Sequence, residues 1–341
     1  MNRAVISALV LAAALAMPAR LLAQSQPPRP AVGPGSNLYS HLSLTAKGPF
    51  WAAGFGRDDN YLYYIYEPAW PTPASAPVVL FLHGWLAYEP LAYAGWIQHM
   101  VRKGHVVVWA QYDAGLSLPV RFPEKAMITW KDALQRLVTQ PGHVRPSVSN
   151  GALLTGIVGH SVGGYMSAIL AALAANPANG IPKPQAVVAV EPGGFNVIKR
   201  EDLSGIDPAT KMVAVVGDRD IAVGSEAALE IWSGTPQVPD ANRDFLVVRS
   251  DDHGDPDLVA DHNFPLTGGM RAKIDTLDLY VTYKLTVGAL NCAFKGADCQ
   301  YALGNGSLEQ VGMGKWSDGV AATPMLWLPD PGVLTGFGGA K

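Results

Sequence analysis

Cysteine is scarce in this 341-residue chain, which has two, Cys292 and Cys299. With no histidine at ligand spacing beside them, they do not make a zinc site; in an oxidising compartment they make one small disulfide. Closing so short a loop contributes about 2 to 3 kcal/mol on a chain-entropy argument. Charge is sparse as well: 16% of residues are charged, the formal net charge is −3, and lysine and arginine form no cluster. That argues against a nucleic acid or an anionic membrane as partner. Beyond the first two dozen residues no apolar run approaches the roughly 20 residues of a spanning helix, so stable membrane insertion is not expected. The acidic residues Asp251, Asp252, Asp255, Asp257 and Asp261 lack the spacing of a calcium loop and read as a solvated turn.

The chain does have a leader. Residues 1–23 carry Arg3 in a short basic start, an apolar stretch, and Leu21-Leu22-Ala23 before Gln24, the pattern of a cleaved secretory signal. Pro18 and Arg20 interrupt the apolar run, which disfavours a membrane anchor and predicts a secreted or periplasmic protein. Residues 24–37, rich in Pro, Gly and Ser, read as a disordered lead-in. The whole chain is 49% hydrophobic, and the remainder, 38–341, shows no repeat or composition break, so one large domain is expected.

Within it, short β-branched runs at 61–66, 78–82, 105–112, 153–158, 186–190, 212–216 and 245–248 alternate with helix-like segments at 93–103, 128–139, 162–175, 225–232 and 274–290. This predicts an α/β fold, a mostly parallel central sheet with helices on both faces. Residues from about 297 to 341 form a C-terminal extension with no readable motif.

One motif carries chemistry: Val158-Gly159-His160-Ser161-Val162-Gly163-Gly164, a G-x-S-x-G run between a strand-like and a helix-like stretch. Glycines at these two positions relieve crowding at a sharp strand-to-helix turn, which would leave Ser161 strained and exposed at the sheet's carboxyl edge. The helix that follows would aim its positive end at the reacting centre. His160 is expected to face away from the turn as a packing residue.

The motif and its flanks resemble the α/β-hydrolase superfamily from residue 61 to 290, close to its secreted, cap-less esterases, lipases and polyester hydrolases. That resemblance implies a Ser-acid-His order along the chain. Of eight histidines only His253 and His262 follow Ser161. His253, just after the run 245–248, occupies the superfamily's usual place for the base; His262 is the alternative. A G-x-x-D likeness in Gly217-Asp218-Arg219-Asp220 favours Asp220 as the acid, with Asp218 a turn residue and Glu191, at the end of 186–190, the alternative acid. The run Val78 to Trp85 resembles the oxyanion loop, which implies the N–H groups of Trp85 and Val162 as donors and His83 as a brace.

Only a short segment separates Gly194 from the strand at 212, so no large lid is expected. Trp85 and Tyr88 either contact substrate or pack. The reading is an exported serine hydrolase that cleaves carboxylic esters through an acyl-enzyme, with no metal or organic cofactor. Peptidase or acyltransferase chemistry on the same residues, or a non-catalytic protein that keeps the fold, are the alternatives.

Overall fold

Nine strands form the main sheet, and seven of them are the apolar runs just described, seen here in a computed structural model that describes residues 24–114, 117–194, 196–268 and 273–334. The expected signal segment lies outside these residues. In chain order the strands are β1 (Ser43–Trp51), β2 (Leu62–Ala69), β3 (Val78–Leu82), β4 (Val106–Ala110), β5 (Thr155–His160), β6 (Ala186–Val190), β7 (Lys211–Gly217), β8 (Arg243–Val248) and β9 (Leu326–Trp327). Their spatial order is β1-β2-β4-β3-β5-β6-β7-β8-β9. The six strands from β3 to β8 are parallel, whereas β1, β2 and β9 join antiparallel at the edges.

The parallel strands are buried on both faces because side chains alternate across a strand and each face has its own cover. In β3, Val78, Leu80 and Leu82 enter one core while Val79 and Phe81 enter the other. The first core receives α2 (Phe122–Thr139) and α3 (Val162–Leu173); the second receives α1 (Ala94–Arg102) and α5 (Tyr283–Lys295). The helix α4 (Glu226–Ser233) packs Ala228 against Ala214 and Phe245 beyond β7. Helices thus cover both faces, as expected. Strand β1 was not legible because its side chains are exposed or half-buried throughout and carry no burial period.

One expectation about the ends changes. Residues 24–37 are docked, not disordered: Thr276 and Tyr280 donate to the carbonyls of Pro27 and Pro28, and Ser25 N–H donates to Ser317 Oγ at 3.0 Å. Their prolines lack N–H groups yet keep carbonyls, and those carbonyls serve as acceptors for distant donors. The C-terminal extension packs along the edge, with Trp316 buried and β9 paired on β8. Cys292 and Cys299 form the expected disulfide, joining the end of α5 to the chain that follows. No helix among the described residues is long and apolar enough to cross a membrane.

The chain passes from β3 to β4 on one side and then returns to β5 on the other. The crevice at the carboxyl ends of β3 and β5 is therefore a topological switch point, where open α/β sheets bind ligands.

Candidate active site

Ser161 is the single residue between β5 and α3, and it holds φ 58°, ψ −127°. A positive φ is unfavourable for serine, so neighbouring contacts must hold it there. Ser161 N–H donates to Val190 O at 3.0 Å, and Ser161 O accepts from Gly193 N–H at 2.9 Å and Tyr165 N–H at 3.2 Å. The flanking glycines are required by space: a Cβ on Gly159 would lie 2.1 Å from Gly163 O, and one on Gly163 would lie 2.2 Å from Leu82 O. The turn is strained as expected, but Ser161 is only 6% exposed, because the segment after β8 folds over it.

That segment supplies the imidazole. His262 Nε2 stands 2.9 Å from Ser161 Oγ, and His262 Nδ1 stands 2.8 Å from Asp220 Oδ2. A carboxylate accepts, so Nδ1 carries the hydrogen and Nε2 is free to accept from the serine hydroxyl. His253, the expected base, is elsewhere: its Nε2 pairs with Asp318 Oδ2 at 2.8 Å, against Trp316 of the tail. The cause is a closure inside the loop. Asp251 and Leu258 exchange N–H···O bonds of 2.9 Å each, which sends residues 252–257 outward with His253. The chain then returns beside β7, where Arg219 N–H donates to Ala260 O at 3.0 Å, and delivers His262. Asp218 anchors the start of this loop through Ser250 N–H and Oγ–H, consistent with a turn role.

Asp220 is buried, and Ala222 N–H and Val223 N–H donate to its Oδ1 at 2.9 and 3.1 Å. Burial pushes its carboxyl up, but the hydrogen bond from His262 and that from the Val223 N–H outweigh this and hold it well below the usual carboxylate range. Glu191, the alternative acid, is wholly buried at the end of β6 and makes no hydrogen bond to the His262 imidazole.

The loop expected to hold an oxyanion runs close to Ser161: a Cβ on Gly84 would lie 3.2 Å from Ser161 Cβ. Gly84 N–H donates to Tyr93 Oη, Leu86 N–H to Asp113 Oδ2 at 2.7 Å, and Ala87 N–H to Gly84 O. Among the described residues, no acceptor engages the N–H of Trp85 or of Val162, the latter at the first position of α3, where a helix leaves its donors unpaired. His83 braces the loop by bonding Gly84 O through Nδ1 at 2.7 Å and stacking on Tyr112 at 4.1 Å; burial pushes its imidazole down to about 4.

His160 does more than pack. Its Nε2 meets the carbonyl oxygen of His262 at 2.9 Å, so that nitrogen must donate, and Nδ1 must accept from Tyr93 Oη–H at 2.7 Å. Tyr93 in turn accepts from Gly84 N–H at 2.9 Å. One buried relay therefore ties the loop at Gly84 to the backbone of His262. Burial holds the His160 imidazole down to about 3, so it stays neutral in this relay. The residue's position next to Ser161 was the only signal in the sequence, and Tyr93 had none.

No inserted cap follows β6: Ile198, Leu203 and Ile206 return the chain into the core before β7. Among the described residues, Glu191, Asp220 and His262 are the one grouping near enough to share a cation, but His262 and Asp220 are already bonded to each other. The arrangement is a hydrogen-bonded relay from carboxylate to imidazole to hydroxyl. It can draw the proton from Ser161 as its oxygen attacks an electrophile. The sequence matches no protein-family model, and none of the curated proteins compared with it matches either.

Proposed function

We propose that the protein is an exported serine hydrolase of the α/β-hydrolase type that cleaves carboxylic esters through an acyl-enzyme. The observation that carries this reading is the unbroken relay Ser161 Oγ, His262, Asp220, with spacings of 2.9 and 2.8 Å, set at the switch point of the sheet. Ser161 attacks the ester carbonyl while His262 Nε2 takes its proton, and Asp220 stabilises the imidazolium. The N–H groups of Trp85 and Val162 receive the developing oxyanion. His262 then returns the proton to the leaving alcohol, and water repeats the sequence on the acyl-serine. The chain order of serine, aspartate and histidine agrees with the resemblance drawn from the G-x-S-x-G motif.

The substrate side is apolar. Loops at the carboxyl edge expose Trp85 and Leu86 after β3, Leu118 and Val120 after β4, and Ile221 after β7. With no inserted cap over them, these side chains favour a bulky or extended acyl ester. The disulfide supports export to an oxidising compartment.

A fluorophosphonate probe tests the assignment. Wild-type protein should be labelled and Ser161→Ala should not; equal labelling of both would remove Ser161 from the role. Parallel turnover of p-nitrophenyl esters and peptide anilides separates ester from amide hydrolysis, and faster cleavage of the anilides would overturn the ester reading.

A further inference from the structure

We propose that Glu191 is a positioning residue for Asp220: in its neutral form it donates its carboxyl proton to the Asp220 carboxylate and so keeps that group ionised and aimed at His262. The inference rests on the relay assigned above, with Glu191 taking a role different from the alternative acid expected of it.

Three observations carry it. First, Glu191 is built in at a cost. It ends β6 at φ 47°, a left-handed conformation that glutamate seldom adopts, and its N–H is held by Val215 O at 2.8 Å. The space for its side chain comes from Gly217, where a Cβ would lie 2.6 Å from Glu191 Oε1. Second, a carboxyl oxygen of Glu191 lies within 4.8 Å of both an Asp220 oxygen and a His262 ring nitrogen, and both carboxyl groups are fully buried. Two carboxylates so placed do not both ionise. Third, the donors are unequally shared. Asp220 receives His262 Nδ1–H and the N–H groups of Ala222 and Val223. Neither oxygen of Glu191 receives a well-formed bond from a fixed donor. The proton therefore resides on Glu191, and the acceptor within reach is Asp220.

The groups facing Glu191 agree. From β7 and its loop comes Asp220, and from the segment after β8 come Asp261 and the imidazole of His262; His160 on β5 stays neutral. Burial first, then Asp220, pushes the Glu191 carboxyl well above its usual range, which leaves it protonated at neutral pH.

The test compares Glu191→Gln, whose amide can still donate, with Glu191→Met, which cannot. On an ester substrate the Gln variant should keep kcat within about threefold. The Met variant should lose roughly tenfold in kcat with KM little changed, and the acid limb of its kcat/KM profile should move to lower pH, because an Asp220 no longer held ionised and aimed at His262 Nδ1 stabilises the imidazolium less. A Gln variant as impaired as the Met variant, or a Met variant matching wild type in both readouts, overturns the proposal. Infrared difference spectra at pH 7 read the proton independently of turnover and of whether the Met variant folds: wild type minus Glu191→Gln should contain a protonated-carboxyl C=O band, and its absence also overturns the proposal. Fluorophosphonate labelling of the same wild-type sample reports on the relay itself, so a failure of the ester-hydrolase reading is seen separately.

Discussion

His253 and His262 leave the same strand on the same segment, and each has a ring nitrogen 2.8 Å from an aspartate oxygen. By distance alone the two pairs are equivalent. They differ in what surrounds them. The His253 and Asp318 side chains are 34% and 30% exposed, and the imidazole also meets the tilted ring of Trp316. Asp220 is fully buried, held by two backbone N–H groups and a neutral carboxyl neighbour, and His262 has a serine hydroxyl on its second nitrogen. In water the exposed pair gains little, because solvent screens it and both side chains give up freedom to meet. In the interior the same contact is directional and strong, because each atom has one partner and no water competes. A histidine–aspartate pair becomes a relay when its ends are fixed.

That comparison can be broken from either side. The largest effect is expected for His262→Ala, which should lower ester turnover by roughly 10⁴- to 10⁶-fold while His253→Ala stays within about twofold; equal losses in steady-state assays would erase the distinction. Next comes Tyr93→Phe, which strips the partner from both Gly84 N–H and His160 Nδ1 in a buried setting. It should cost about 1 to 3 kcal/mol in urea unfolding and lower kcat, and an unchanged midpoint with unchanged kcat would show that the relay behind the site is idle.

A third measurement sharpens the role of the buried pair through pH. Folded protein keeps a proton on Glu191 that the unfolded chain releases above its ordinary value of 4.5. Stability contributed by this group is therefore intact below that pH and declines as pH rises beyond it, whereas glutamine has nothing to lose. Urea melts at pH 4, 6 and 8 should show Glu191→Gln gaining on wild type by up to about 1.4 kcal/mol per pH unit; a constant difference would place the proton elsewhere. The smallest effect belongs to Asp318→Asn, which should leave the urea midpoint essentially unchanged in the same melts, since solvent screens the exposed pair.

Much of this was legible in the chain. The parallel strands announce themselves because burial on both faces demands continuous apolar residues, as in Val78–Leu82 and Ala186–Val190. The elbow is readable because close backbone approach at Gly159 and Gly163 admits no side chain. The choice between the two histidines was not readable, since it depends on the Asp251–Leu258 closure, a backbone pairing with no residue pattern of its own. The Tyr93–His160 relay joins residues 67 positions apart, and tyrosine in an amphipathic stretch looks the same whether or not its hydroxyl has a task. Residues 24–37 misled because proline-rich composition marks a chain that makes few internal bonds, and here the bonds are supplied by distant partners.

The docked segment also ties together parts of the chain that lie far apart in sequence. Ser25 meets Ser317 across 292 positions, and Gln26 meets Pro256 and Asp257 across 230 and 231. Contacts of such span form only after the intervening chain has condensed, since closing the loop earlier costs entropy that nothing yet offsets. The first residues of the described chain are thus held by partners that meet only in the assembled protein, a latch whose integrity reports at once on the segment bearing His253 and on the tail.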